Sequence, residues 1–263
     1  SPSLLFDYPP IGALTVLRRA LPSGRDATAS VRPNPRALAV AADGGRCDVA
    51  IVGMSCRFPG GIEGPAMLWD AVENGQSVIT KVPFSRWDVD AVVAADPTLG
   101  EEVAQRMSYG GFVEDLELFD ASFFRISAAE ASAMDPQQRL LLEYAYLAFH
   151  DAGYTKESLQ GGNVGVFVGM STPDAVEVAV TSKQRSVYSA NSVSNATAAG
   201  RLSFVFGLHG PSAAYDTACS SALVALHGAS LAVASGEAEC ALALAVSLML
   251  IPRLHHVYAR AGM

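Results

Sequence analysis

Apolar residues in this chain fall into two kinds of run: short continuous ones, and longer ones spaced three and four apart. "DVAIVGM", from Asp48, reads as a buried strand, followed by the loop "RFPGG". A helix opens at Pro65, runs through Trp69 and Val72, and is ended by Gly75. "MDPQQRLLLEYAYLAFHDAGY" predicts the clearest helix: Asp135 as N-cap, Pro136 at the first helical position and Gln138 at the capping-box position. Leu140, Leu141, Tyr144, Leu147 and Ala148 follow helical spacing, and Gly153 ends it. "NVGVFVGMS" is a second buried strand. A helix from about Val193 to Phe206 carries Ala196, Ala199, Gly200 and Ser203 on one side, small enough to let another backbone approach. A strand at 213–217, a helix opening at Cys219 and ended by Gly236, and a strand at 239–249 complete the pattern. Between these elements, residues 80–127 read as an irregular, partly helical surface region anchored by Trp87, Phe112, Phe119, Phe123 and Phe124. Strands alternating with helices predict a layered α/β fold on a mainly parallel sheet.

The first residues follow another pattern. Residues 1–21 read as a turn and one amphipathic helix starting near Pro10, with Leu14, Leu17 and Leu21 on its apolar face and Arg18 and Arg19 off it. Residues 22–46 hold Pro22, Pro33, Pro35, Gly24, Gly44 and Gly45, the composition of a linker. The chain opens on Ser1 and stops at "YARAGM", which reads as a piece of something longer.

Composition narrows the function. Half of the 263 residues are hydrophobic and 17% are charged, which predicts a well-buried globular protein. The formal charge is -8 and no basic stripe occurs, which argues against nucleic acid as a partner. Cys47, Cys56, Cys219 and Cys240 show no CxxC spacing and no zinc-like pairing with histidine, so no metal is expected. Cys47, Cys56 and Cys240 read as small, buried or half-buried thiols, which suits a reducing, cytoplasmic setting. No signal-peptide pattern is present, and the longest apolar run, Cys240 to Ile251, is a buried strand too short to span a membrane. No GxGxxG follows a strand and no GxxxxGK[ST] occurs, so nucleotide phosphate sites are unsupported.

The chemistry concentrates at Cys219, in "YDTACSSALVALHG", where a strand-like stretch gives way to an apolar helix. Unpaired N–H groups and the helix dipole favour an anion there, and a thiolate is a nucleophile. That effect is worth about 0.3–1 kcal/mol, so full activation wants a partner such as histidine. His227 lies eight residues on, about 12 Å along a helix, too far to take the proton, and reads as a packing histidine. His255 and His256 read as surface or subunit-contact residues, His150 as a helix-end residue and His209 as a loop residue. Ser220 and Ser221 lie outside any GxSxG motif and are expected to satisfy backbone groups, as is Asp216. Asp135 and Arg139 read as helix-start features.

The blocks "DVAIVGMSCRFPGG", "MDPQQRLLLEYAYLAFHDAGY", "AGRLSFVFGLHGPS" and "DTACSSALVALHGASLAVASGE" resemble, in this order, the amino-terminal half of a β-ketoacyl synthase. The type most like it is the ketosynthase of a type I modular polyketide synthase. The resemblance covers residues 47–263 and implies a thiolase-like fold, layered α/β/α/β/α, of which only the N-terminal half is present. It implies Cys219 as the nucleophile that carries the acyl thioester, with its backbone N–H in the oxyanion hole. The family's two catalytic histidines and lysine are implied to lie beyond Met263. "SLLFDYPPIGAL" resembles the last helix of an acyl carrier protein domain, which would make 22–46 an intermodule linker. The implied partners are carrier domains bearing phosphopantetheine on a serine not in this chain. A homodimer built across the strand before Cys219 is also implied, with no cofactor, metal or nucleotide in the ketosynthase itself.

Three functional readings follow. The first is a decarboxylative condensing acyltransferase of polyketide or fatty acid biosynthesis. The second is a non-catalytic structural or docking fragment, and the third a cysteine-dependent thioester hydrolase.

Overall fold

The fold is a computed structural model that describes residues 14–19, 49–171, 174–181, 187–188, 191 and 193–262. Its centre is a five-stranded mixed sheet made of β1 (Leu14–Arg19), β2 (Val49–Ser55), β7 (Val164–Met170), β8 (Ser212–Tyr215) and β9 (Cys240–Val246), in the order β2-β1-β9-β7-β8. β7 runs parallel to both β8 and β9, whereas β1 is antiparallel to β2 and β9. Two short antiparallel pairs, β3 (Arg57–Phe58) with β4 (Ile62–Glu63) and β5 (Thr80–Lys81) with β6 (Tyr109–Gly110), lie outside it.

The two faces of the sheet differ in side-chain size, and this decides how near each helix layer comes. On β9, Cys240, Leu242, Leu244 and Val246 join Val164, Val166, Val168 and Met170 of β7 under α5 (Pro136–Asp151) and α8 (Asn195–Phe206). Leu140, Leu141, Leu142, Phe149, Leu202 and Phe206 fill that side. On the opposite face Ala241 and Ala243 of β9, flanked by Leu17 of β1 and Phe167 of β7, meet Ala225, Ala229, Ala232 and Val233 of α9 (Ser221–Ser235). Small residues on both partners let α9 lie close to the sheet. By length and apolarity Ala218–Ser235 could also cross a membrane, but one face of it is spent on this packing.

Between β4 and α5 lie α1 (Pro65–Glu73), α2 (Val89–Ala94), α3 (Glu101–Met107) and α4 (Ala128–Ala133); α6 (Lys156–Leu159) and α7 (Ala175–Thr181) flank β7, and α10 (Pro252–Arg260) follows β9. Residues 80–127 are partly helical as expected, with Trp87, Phe112 and Phe124 buried. Trp87 meets Phe112 edge-on at 5.6 Å between ring centroids.

Several expectations change. Leu14–Arg19 is a strand, not part of an amphipathic helix, and lies inside the sheet with Thr15, Val16 and Leu17 buried. The other residues of 1–21, the linker 22–46 and Cys47 fall outside the described residues. β2 is an edge strand and not a buried one. Gly53 and Ser55 are covered, whereas Ile51 stays 57% exposed. β9 stops at Val246, short of the expected 249, because side chains take over its backbone donors. Leu248 N–H donates to Gln137 Oε1 at 3.2 Å, and Leu250 and Ile251 N–H donate to Asp174 Oδ2 at 2.9 and 3.3 Å.

At the start of α5, Asp135 Oδ1 accepts the Gln137 N–H at 2.8 Å, as an N-cap should. Gln138 does not close the capping box. Its amide nitrogen reaches the Asn191 and Ser194 carbonyls, and its oxygen accepts from Arg201 Nε at 3.0 Å. Leu147 is exposed although it fits the apolar spacing. Gly200, expected at a close backbone approach, has open space where a Cβ would point.

Candidate active site

β7 and β8 run side by side to the Gly169–Tyr215 pair, and the chain then turns through Asp216–Ser220 into α9. Cys219 stands in that turn, exposed, in one turn of 3-10 helix (Ala218–Ser220) that leads directly into α9. The expectation of Cys219 in the first turn of the α-helix is thus off by two residues: α9 begins at Ser221.

The turn is tight and strained. Ala218, immediately before the cysteine, has φ of +55°, a left-handed conformation that costs a residue with a Cβ about 1–3 kcal/mol. Such strain persists only where neighbouring bonds enforce it. Asp216 Oδ1 accepts from Ala218 N–H at 3.3 Å and from Ser171 Oγ, just beyond β7, at 3.4 Å. Ser220 Oγ donates to the Thr217 carbonyl at 2.8 Å. Ser221 Oγ accepts the Thr217 N–H at 2.9 Å and donates to the Ala218 carbonyl at 2.7 Å. Asp216, Ser220 and Ser221 therefore have the backbone-satisfying roles expected of them.

β7 supplies the floor. A Cβ on Gly169 would come within 2.5 Å of the Ser221 carbonyl group, so only glycine lets the start of α9 settle on the strand. Gly169 and Ser171 were not singled out in the sequence; their signal is the small-residue ending "GMS" on a run of large apolar residues.

Cys219 contrasts with the other described thiols. Cys56 and Cys240 are buried, and burial pushes both up, Cys240 to about 11. They are inert packing groups, as read from the sequence. Only Cys219 of the three faces solvent.

No imidazole completes the turn among the described residues. His227 projects from α9 exposed, not as a packing residue, because the sheet-facing side of that helix is taken by alanines. His255, expected at the surface, is 1% exposed between α10 and α3. Its Nε2 lies 3.0 Å from the Met107 carbonyl oxygen and its ring 5.9 Å from that of Trp87. Burial lowers its proton affinity, outweighing its carbonyl partners. His256 sits at Asp96 and Arg260. His150 ends α5 and His209 lies in a loop, both exposed. Asp135 and Arg139 line a separate cavity of about 380 Å³ with Arg86, Glu117 and apolar residues such as Leu116 and Leu250. Among the described residues no three His, Cys, Asp or Glu side chains cluster as a metal site.

The chain is similar to known proteins in sequence and fold. The family described as "Beta-ketoacyl synthase, N-terminal domain" matches residues 46–263. Polyketide synthase GfsB of Streptomyces halstedii is 42% identical over 262 residues, 99% of this chain and 5% of that protein. The phthioceranic/hydroxyphthioceranic acid synthase of Mycobacterium bovis is 45% identical over 208 residues, 78% of this chain and 10% of that protein. Among solved structures, the ketosynthase from module 6 of the Bacillus subtilis 168 bacillaene synthase superposes with a TM-score of 0.68 at 36% identity, covering 81% of this chain and 34% of that one. The oxazolomycin ketosynthase domain of Streptomyces albus JA3453 gives 0.69 at 33% identity, covering 81% and 37%. This chain spans about a third of those ketosynthases and a tenth or less of the two synthases. The fold is thiolase-like, and the three layers around its mixed sheet are one part of the larger layered domain. With its exposed cysteine on a strained strand-to-helix turn, the chain belongs to the β-ketoacyl synthase family, of which it carries the N-terminal domain.

Proposed function

We propose that Cys219 is the acyl-accepting nucleophile of a polyketide synthase ketosynthase. The observation that carries this reading is an exposed thiol on a strained turn between β8 and α9, in a chain of this family. Cys219 sulfur attacks the carbonyl of an acyl thioester on a carrier domain. The new S–C bond forms as the carrier's phosphopantetheine thiol leaves with the proton. A malonyl-type thioester on a second carrier then loses carbon dioxide. Its carbanion attacks the acyl-cysteine carbonyl, forming the C–C bond and releasing the Cys219 thiolate.

Both tetrahedral intermediates carry an oxyanion, which needs aimed N–H donors. The Cys219 N–H is a fitting one: among the described residues no loop or capping acceptor takes it. The extender step also needs imidazoles, and none of the described histidines bonds to the turn. Condensation is therefore assigned to the larger domain and acyl acceptance to Cys219. Homodimerisation at the free edge of β8 belongs to the same reading, since β8 pairs only with β7 within the described sheet.

The test is incubation of the ketosynthase-bearing polypeptide with a radiolabelled acyl-carrier thioester. Label is expected on the Cys219 peptide, at least 10³-fold less in Cys219→Ala, and carbon dioxide release only after the extender is added. Absence of label on Cys219 would overturn this reading, and release of free acid without carbon dioxide would instead support a hydrolase.

A further inference from the structure

One hydroxyl holds the turn before the nucleophile at two points. Ser221 Oγ takes the Thr217 N–H at 2.9 Å and gives its own proton to the Ala218 carbonyl at 2.7 Å. Between these two anchors the chain makes its left-handed bend at Ala218, and Cys219 is the next residue. Ser221 is itself buried, and its backbone rests on Gly169 with no room for a Cβ between them. A short line of contacts therefore runs from the central strand β7, through the Ser221 hydroxyl, to the peptide that carries the thiol. Ser220 cannot replace it, because its hydroxyl is turned back onto Thr217 and reaches neither the Thr217 N–H nor the Ala218 carbonyl. With the Ser221 hydroxyl gone, the Thr217 N–H loses its described partner and the Ala218 carbonyl keeps only the Ser221 backbone N–H, so the side-chain clamp that joins the two ends of the bend is lost.

We propose that Ser221 is a positioning residue for acyl transfer. It fixes the left-handed bend so that the Cys219 sulfur and the Cys219 N–H face the same incoming carbonyl. The inference rests on Cys219 being the acyl acceptor. It separates two reactions of one thiol: acylation by a thioester needs sulfur and N–H aimed together, whereas alkylation by iodoacetamide needs the sulfur alone.

The experiment compares the full chain with Ser221→Ala and with the isosteric pair Ser221→Thr and Ser221→Val. Rates of acetylation by S-acetyl-N-acetylcysteamine and of alkylation by iodoacetamide are read at Cys219 by peptide mass spectrometry, with Tm measured for each variant. The acetylation step forms the Cys219 S–C bond, and N-acetylcysteamine leaves as the free thiol. Ser221→Ala and Ser221→Val are expected to lower acetylation at least tenfold with alkylation changed less than threefold, and Ser221→Thr to keep both within threefold of wild type. Equal acetylation in the Thr and Val variants, or parallel loss of both reactions with Tm, overturns the positioning role. The Thr and Val pair decides the matter even where Ser221→Ala does not fold. A wild-type chain that is alkylated but never acetylated overturns the acyl-acceptor reading itself, and this role with it.

Discussion

Three described cysteines in one chain show how environment, not residue type, sets reactivity. Cys240 packs under α5, where burial raises its thiol to about 11; Cys56 is buried beside Gly64 and is raised for the same reason. Iodoacetamide on the native chain is therefore expected to modify Cys219 well before either, with peptide mapping as the check. Asp135 offers a second residue-level prediction. Burial at the foot of α5 raises its carboxyl from 3.8 to about 6, against the pull of the Gln137 hydrogen bonds and the Arg139 charge. A carboxyl raised on folding favours the folded state while protonated. That contribution is complete below about pH 4 and is lost as pH rises to about 6, a loss of about 3 kcal/mol. Asp135→Asn keeps a capping oxygen without the charge. It is expected to flatten the dependence of unfolding free energy on pH between 4 and 6 and to raise stability at pH 7.5, measured by urea titration. Asp135 as a cap was legible in the sequence, since Asp-Pro before an apolar helical pattern has few other readings. Its burial was not, because the surroundings of Asp135 include residues as distant in the chain as Asp174 and Leu250.

At the scale of elements, the segments with strong local signals were read correctly and those decided by distant partners were not. Pro136–Asp151 announces itself through its cap, its spacing and Gly153, which has φ of +81°. The turn at Cys219 was legible as strand-to-helix, but its left-handed residue was not: Ala218 carries no glycine-like signal and is held by hydroxyls from Ser221 and the carboxylate of Asp216. Leu14–Arg19 failed for a different reason. Leu14 and Leu17 suit a helix, yet the short stretch Leu14–Leu17 fits a strand equally, and only β2 and β9 on either side decide between them. The packing of α9 on β7 yields a direct test. Gly169→Ala puts a methyl within 2.5 Å of the Ser221 backbone, which cannot yield as a flexible side chain would. A loss of about 1–3 kcal/mol in unfolding free energy is expected, together with slower acylation of Cys219. Gly200→Ala on α8, with open space at its Cβ, is expected to leave acylation unchanged and to match or exceed wild-type stability.

At the scale of the molecule, the sheet is closed by a strand that the family match does not include. Residues 46–263 carry the β-ketoacyl synthase signature, yet β1 at Leu14–Arg19 stands between β2 and β9 and makes every ladder bond that β2 has in this sheet. Val16 and Leu17 belong to the cores on opposite faces, so β1 ties the α5 layer to the α9 layer. Strand alternation alone sends these two successive residues to opposite faces, and the register with β2 skips Val52 between the Val16–Gly53 and Leu17–Ile51 pairs, a bulge on β2. Removing β1 exposes the backbone edges of β2 and β9, beside an apolar surface where Ile51, Val52 and Met54 are already open. A chain lacking residues 1–20 is therefore expected to unfold at lower urea concentration than the full chain and to associate in sedimentation velocity as its concentration is raised. The double variant Val16→Asp/Leu17→Asp, which keeps the length and charges both faces of β1, is expected to do the same. Unchanged urea midpoints and sedimentation in both variants would mean that β2 and β9 close on each other without β1, and that the sheet needs nothing from outside the family match.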